Sequence, residues 1–256
     1  MAYALVTGAS SGIGYQFARQ LAERGYNLVM VSNEAAALNE AAAHIGSQYK
    51  IDVDARYEDL GRQQAAEELH DYCKKRGYAI EVLVNNAGVY HDKDFLDDSQ
   101  TFNELIFNLH MFTPAMLTYH FGKDMALRKK GYILNVSSIT SRIAVQRLST
   151  YGATKAFLHN FTRSVHIELY HQGVKVTAIR PGAVNTGLYS ISDNATKMGL
   201  TLGLIVTPEH LARQALRAMF RGRCIVTPGL CNHLLLFFIA LLPTGLLRLV
   251  RKWNWF

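Results

Sequence analysis

Two residues four apart, Tyr151 and Lys155, form a pair that could move a proton. They stand in a stretch of helical composition, Tyr151–Gln172, so their side chains share one face, one turn apart. A tyrosine hydroxyl ordinarily titrates near 10, and work near neutral pH needs a drop of roughly three units, about 4 kcal/mol. One cation about 4 Å away in a partly shielded site supplies about that much. An isolated Tyr-x-x-x-Lys is usually a surface helix pair, so the rest of the chain has to decide.

Three further stretches carry polar or small residues at the ends of apolar runs. Thr7-Gly8-Ala9-Ser10-Ser11-Gly12-Ile13-Gly14 comes after the first run and precedes a helical segment. Glycine suits a tight turn and a close backbone approach to a pyrophosphate, and free N–H groups at a helix start hold the anion. The spacing is GxxxGxG, which differs from GxGxxG, so the position between strand and helix carries the argument. Asn85-Asn86-Ala87-Gly88 is an amide-rich turn suited to bracing that loop. Ser138 stands thirteen residues before Tyr151, where another run ends, and Pro181-Gly182-Ala183-Val184-Asn185-Thr186-Gly187 closes a fourth.

Positioning these groups requires a particular scaffold. Tyr3–Thr7, Asn27–Ser32, Tyr49–Val53, Glu81–Asn85, Tyr132–Ser137 and Val174–Arg180 read as strands apolar on both faces, which suits a covered parallel sheet. Ile13–Arg24, Glu34–Ile45, Glu58–Arg76, Thr101–Lys129 and Tyr151–Gln172 read as helices. The alternation predicts an α/β fold, a doubly wound Rossmann-like sheet with helices on both faces. Open parallel sheets place their sites at the carboxyl ends of strands, so the four stretches converge on one rim. Residues 1–229 are read as one nucleotide-binding and catalytic domain and 230–256 as an apolar, basic tail.

In order and spacing, TGASSGIG, NNAG, Ser138…Tyr151-Gly-Ala-Thr-Lys155 and the Pro-Gly…Thr stretch resemble the short-chain dehydrogenase/reductase family, in its branch of about 250 residues. The resemblance covers about residues 3–226. It implies a sheet of about seven parallel strands and nicotinamide chemistry. It also implies a role for each matching residue. Tyr151 is the general acid/base, Lys155 lowers its pKa and holds the nicotinamide ribose, and Ser138 orients the substrate oxygen. Asn108 supports a water linking Lys155 to solvent. Gly8, Ser10, Ser11, Gly12, Ile13 and Gly14 hold the phosphates. Asn86, Ala87 and Gly88 lie beside the adenosine ribose, and Asp52 and Val53 meet the adenine. Pro181, Gly182, Val184 and Thr186 reach the carboxamide and phosphates. Alone, Asn108 would read as a polar residue inside a helix. Pro114, six residues on, removes an N–H that would bond the carbonyl of His110, and it reads either as a packing kink or as a device freeing backbone near Asn108.

The end of the second strand reads the adenosine ribose. It is Val31-Ser32-Asn33-Glu34. Relatives using NADP commonly carry Arg at the position of Asn33 or a basic residue at that of Ser11, and relatives using NAD carry Asp at that of Ser32. Neither pattern is present. Ser32 and Asn33 can donate to a 2′-phosphate and Glu34 would repel it unless turned outward, so the reading leans to NADP over NAD. Substrate-side residues are expected from Ile139–Leu148, Tyr90 and Leu188–Leu204, including Ile143, Val145, Leu148, Tyr189 and Met198. Their apolar character points to a hydrophobic ketone, secondary alcohol, acyl thioester or steroid-like compound, reduced rather than oxidised. Ordinary packing gives a similar set.

Apolar residues make up 49% of the 256 and charged residues 18%, which excludes a disordered chain. The net charge of +7 comes without a nucleic-acid recognition motif, so nucleic acid is not an expected partner. Cys73, Cys224 and Cys231 are odd in number and lack CxxC spacing, and the ten histidines lack a ligand pattern, so neither a disulfide framework nor a metal is expected. The same cysteine usage makes the reducing cytoplasm the expected compartment, and no signal peptide is expected before the apolar run at Tyr3. In the tail, Leu234–Leu247 is uncharged for 14 residues and is broken by Pro243 and Gly245. That is short of the roughly 20 residues needed to span a bilayer. With Arg248, Arg251, Lys252, Trp253 and Trp255 beside it, the segment suits a membrane interface, and equally a cover for the cleft or a subunit contact. The expected assembly is a homo-oligomer, dimer or tetramer. A non-catalytic dinucleotide sensor or scaffold is the alternative reading, disfavoured by Asn108, Ser138, Tyr151 and Lys155 together. A sugar-nucleotide epimerase would normally need a longer chain.

Overall fold

A computed structural model describes residues 2–185 and 205–229, with Asn232 and Gly245. Strand β1 (Tyr3–Thr7) runs into helix α1 (Gly12–Ala22), then β2 (Asn27–Ser32), α2 (Ala35–Tyr49) and β3 (Val53–Tyr57). Next come α3 (Ala65–Lys75), β4 (Ile80–Asn85) and α4 (Gln100–Phe107). A π turn (Asn108–Phe112) joins α4 to α5 (Thr113–Leu127). Beyond it lie strand β5 (Gly131–Val136), a 3-10 turn (Ile139–Arg142), α6 (Ser149–Leu169) and β6 (Val174–Ile179). The rest comprises β7 (Ala183–Val184), β8 (Ile205–Val206), α7 (Pro208–Phe220) and β9 (Ile225–Val226).

Seven strands form one parallel sheet in the order β3-β2-β1-β4-β5-β6-β9, and β7 pairs with β8 apart from it. All six residues of β2 are buried, as expected of a strand covered on both faces. One face packs Phe17, Leu21, Met30, Leu38 and Met219 beneath α1, α2 and α7. The other packs Leu5, Leu69, Leu83 and Phe121 beneath α3 and α5. The strand order reverses direction at β1 and β4, and the connections after these strands diverge to leave a crevice at their carboxyl ends.

Three segments differ from the sequence reading, the first being the helix expected from Glu58, which begins only at Ala65 and leaves residues 58–64 outside α3. The strand expected at Tyr49–Val53 lies at Val53–Tyr57, because α2 continues through Tyr49 and Lys50 closes it in the left-handed conformation at φ 53°. The run Tyr49-Lys50-Ile51-Asp52-Val53 therefore spans the end of α2 and the entry to β3. The true strand is an edge strand and tolerates charge: Asp54 accepts from the hydroxyls of Tyr72 and Tyr78, and Arg56 lies over the Tyr72 ring. The helix expected over Thr101–Lys129 is divided by the π turn. There the Thr113 N–H reaches back five residues to the Asn108 carbonyl. Pro114 sits just after this turn. The missing N–H thus coincides with a widened turn, without a break in the helix.

Candidate active site

The crevice is a cavity of about 570 Å³, within the usual range of roughly 300–1,000 Å³ for small-molecule sites. Its floor at one end is the loop between β1 and α1. Gly8 and Gly12 hold φ of +64° and +56°, a region few side chains adopt. A Cβ on Gly14 would fall 1.8 Å from the Gly8 carbonyl oxygen, so the loop closes only around glycine. Asn86 braces it from the next strand end: its Nδ2 donates to the carbonyls of Thr7 at 2.9 Å and Gly8 at 3.2 Å. The Thr7 hydroxyl accepts from the N–H groups of Asn86 and Ala87. Helix α1 has no acidic residue in its first turn, so its positive end faces the cavity uncompensated. This cradle of bare backbone and helix N-terminus fits the pyrophosphate of a dinucleotide.

At the end of β2, the Ser32 hydroxyl donates to Ser10 at 3.0 Å and accepts from the Glu34 N–H. Ser10 donates in turn to the Glu34 carboxylate at 3.3 Å. Glu34 therefore turns toward the ribose edge, where the sequence reading wanted it outward. The wall beyond is Glu58, Asp59 and Leu60, which come after β3. This corrects the assignment of Asp52 and Val53. Asp52 precedes β3 and Val53 begins it, at the opposite end of the sheet, where Asp52 accepts from the Tyr3 hydroxyl at 2.6 Å. The error stems from the displaced strand, since moving β3 four residues along moves its carboxyl end by the same amount.

At the other end of the cavity Tyr151 and Lys155 lie on α6, and Ser138 caps the 3-10 turn that follows β5. The Lys155 ammonium is 5.5 Å from the centre of the Tyr151 ring and donates to the Val136 carbonyl at 3.0 Å. It is 5% exposed and has no carboxylate partner among the described residues. Burial pulls its pKa down to about 8. Ser137 donates to the Lys155 carbonyl at 2.9 Å, fastening α6 to β5. The Ser138 oxygen accepts from the Thr140 N–H at 3.2 Å, which orients its hydroxyl at the start of the 3-10 turn. The rings of Tyr90 and His110 meet Tyr151 edge-on at 5.5 and 5.7 Å.

The cavity thus brings together Ser10, Ser11, Ile13 and the glycines of the first loop, Ser32, Asn33, Asn86, Ala87, Gly88, Ser138, Tyr151, Lys155, Pro181, Gly182 and Val184. Asn108 is half-buried beside it, and the wall there consists of Leu105, Leu109 and His110. Thr186, the 188–204 segment with Tyr189 and Met198, and the 234–256 segment lie outside the described residues. Sequence reasoning missed Glu58, Asp59, Leu60 and His110. Glu58, Asp59 and Leu60 were hidden because the expected third strand ended four residues early and the segment from Glu58 was read as helix, whereas α3 begins only at Ala65; nothing in the sequence near His110 marks it. Among the described residues no group of side chains could hold a metal ion, and no helix is long and apolar enough to cross a membrane.

A sequence model of the short chain dehydrogenase family matches residues 2–196. The chain is 30% identical to a very-long-chain 3-oxoacyl-CoA reductase of Anas platyrhynchos over 262 residues, covering 99% of this chain and 80% of that one. In structure it resembles a short-chain dehydrogenase from Sphingobium yanoikuyae in complex with NADPH, with a TM-score of 0.80 and 27% identity over 90% of this chain and 89% of that one. It also resembles the bulky-bulky ketone specific alcohol dehydrogenase from Comamonas testosteroni, with a TM-score of 0.79 and 27% identity over 90% and 87%. A glycine cradle at one end of the crevice, a Tyr–Lys pair at the other and these likenesses agree: the chain belongs to the short-chain dehydrogenase/reductase family of NAD(P)-dependent oxidoreductases.

Proposed function

We propose that the protein reduces the carbonyl of a hydrophobic substrate, a bulky ketone or a 3-oxoacyl thioester, with Tyr151 as proton donor. The observation that carries this reading is the placement of Tyr151 and Lys155 on one turn of α6, with the buried Lys155 ammonium near the phenol. A nicotinamide dinucleotide held by the glycine cradle and Lys155 would supply the hydride. Tyr151 gives its hydroxyl proton to the carbonyl oxygen as that oxygen gains charge. Lys155 stabilises the phenolate left behind, and Ser138 donates a hydrogen bond that holds the oxygen within reach of Tyr151. Asn108, at the π turn, lends backbone to a water that returns a proton toward Lys155. The substrate class is supported by half-buried Ile143, Val145 and Leu148, by Tyr90 against Tyr151, and by the activities named for the two relatives.

Tyr151→Phe removes one proton and no phosphate contact. Turnover is expected to fall at least a hundredfold with cofactor affinity within about threefold of wild type. Retention of a tenth of the activity, a barrier change under about 1.4 kcal/mol, sinks the role of Tyr151.

NADP(H) is the cofactor this reading favours, by a modest factor. No acid occupies position 32, Ser32 and Asn33 can donate to a 2′-phosphate, and the Sphingobium relative was obtained with NADPH. Glu34 opposes it, and being exposed it must swing away from the phosphate. Fluorescence titration should give a lower Kd for NADPH than for NADH, and Glu34→Gln should widen the gap; tighter NADH binding in wild type reverses the choice. We also propose a homo-oligomer, and a tail whose base docks beside the cavity while its apolar length meets a membrane surface. Asn232 supports the docking: it is buried, and a Cβ on Gly182 would fall 2.6 Å from its Oδ1.

A further inference from the structure

His110 is buried at 1% exposure between the turn after β4 and the first two turns of α6. Both ring nitrogens are engaged. The Val89 N–H donates to Nε2 at 2.9 Å, and Nδ1 lies 3.1 Å from the Thr154 hydroxyl oxygen. That hydroxyl has a single proton, which it gives to the Tyr151 carbonyl at 2.8 Å. It can therefore only accept from His110. Each hydrogen bond fixes the next, and the ring is left with one arrangement: neutral, with its proton on Nδ1.

These bonds join two separate walls of the site through one side chain. The turn carrying Val89 also carries Tyr90, whose ring stands edge-on to Tyr151. The His110 ring stands edge-on to Tyr151 from another side, at an interplanar angle of 76°. Gly88 makes room for it, since a Cβ there would fall 2.8 Å from Nε2. The π turn gives His110 its aim. One extra residue in the turn rotates the downstream residues by about a quarter turn relative to a regular helix, and a buried polar ring is thereby presented to the cavity.

We propose that His110 is a positioning residue: a neutral Nδ1–H imidazole that ties the Gly88–Tyr90 turn to α6 and fixes the Tyr151 phenol toward the substrate carbonyl. The inference rests on Tyr151 being the proton donor. Neutrality matters because Lys155 is the charged group facing the ring; a second cation there would compete for the phenolate that Lys155 must stabilise. Burial first, and Lys155 second, push the imidazole well below its usual pKa, in agreement with the hydrogen-bond logic.

Long-range ¹H–¹⁵N correlation spectra of the full chain read the tautomer without any substrate. One histidine, identified by its loss in His110→Gln, should show a pyrrole-like Nδ1 and a pyridine-like Nε2, unchanged from pH 8 to about pH 5.5. An imidazolium in that range, or an Nε2–H tautomer, overturns the proposal. Kinetics then read the role. His110→Leu should lower kcat at least tenfold, move the pH profile of kcat, and leave the cofactor Kd within about threefold. His110→Gln, which keeps an acceptor and a donor, should recover most of kcat. Thr154→Val serves if the leucine variant does not fold, with the same losses expected. A folded His110→Leu or Thr154→Val enzyme with unchanged kcat and pH profile overturns the proposal. Full activity in Tyr151→Phe would instead overturn the catalytic reading while leaving the tautomer result intact.

Discussion

Lys155 is a buried ammonium that donates to a backbone carbonyl and meets no carboxylate among the described residues, so the folded protein carries a charge that water would hold better. Its pKa is about 8 when folded, against about 10.4 in an unfolded chain. Below pH 8 both states hold the proton and the full penalty is present. Between 8 and 10.4 the unfolded chain binds more protons, so stability rises with pH. We expect Lys155→Met without cofactor to be more stable than wild type at pH 7, by at most about 3 kcal/mol, with the gap narrowing as pH passes from 8 to 10. Calorimetric Tm values across that range check it, and a gap independent of pH contradicts it. The same variant should lose turnover and cofactor affinity. Such residues were legible in the sequence because their spacing is itself chemical: Tyr151, Lys155 and Ser138 define one another. His110 was not, because it lies 41 residues before Tyr151 and acquires its partners only through the turn after β4 and through α6.

The first βα connection shows how an element restricts its own sequence. Gly14 lies in the first turn of α1 and Gly25 just past its end, and they differ in what surrounds them. A Cβ at Gly14 strikes backbone at 1.8 Å, whereas one at Gly25 meets nothing within 4 Å. Gly14→Ala is expected to weaken cofactor binding at least thirtyfold and to cost about 1–3 kcal/mol of stability. Gly25→Ala, which only strains a φ of +82°, should cost about 1 kcal/mol and leave cofactor binding unchanged. Titration and thermal melts of the pair separate the two causes; equal effects on binding would mean that the cradle is looser than its geometry. At this scale β1 and β2 were read from sequence to the residue, since a strand buried on both faces is a plain apolar run. β3 was misplaced because an edge strand holding Asp54 and Arg56 resembles a loop more than it resembles β2. Helix α7 and strand β9 went unread. β9 is two residues long, and its place is set by pairing with β6.

Across the whole molecule, the crevice lies where the strand order turns back, and its walls come from chain segments as distant as Gly8 and Gly182. Alternating strands and helices announced that layout, because parallel pairing with right-handed crossovers leaves few alternatives. Asn232 lies against Gly182 in one wall, which is the observation behind the proposed docking of the tail. The full-length protein is expected to float with anionic vesicles at low salt, with weaker recovery at high salt as Arg248, Arg251 and Lys252 are screened. A chain ending at Gly229 should stay folded and reduce small ketones but remain at the bottom of the gradient. Failure of the longer protein to float, or aggregation of the shorter one, would place the tail against the body and away from lipid, and flotation of both would show that the tail is not what binds lipid.

The position of β1 has a consequence for how the chain leaves the ribosome. One side of β1 is covered early, when β2 emerges, but the other must wait for β4, which begins at Ile80. At roughly 5–20 residues per second that wait is on the order of 4–15 s. During it, Tyr3-Ala4-Leu5-Val6-Thr7 presents an open, uncharged strand edge, the kind that recruits other chains. Synthesis then builds outward through β5 and β6 to β9, each strand joining a neighbour already in place. The hazard lasts only until β4 emerges, an interval that slower translation would prolong and in which a chaperone would do most to shield the strand.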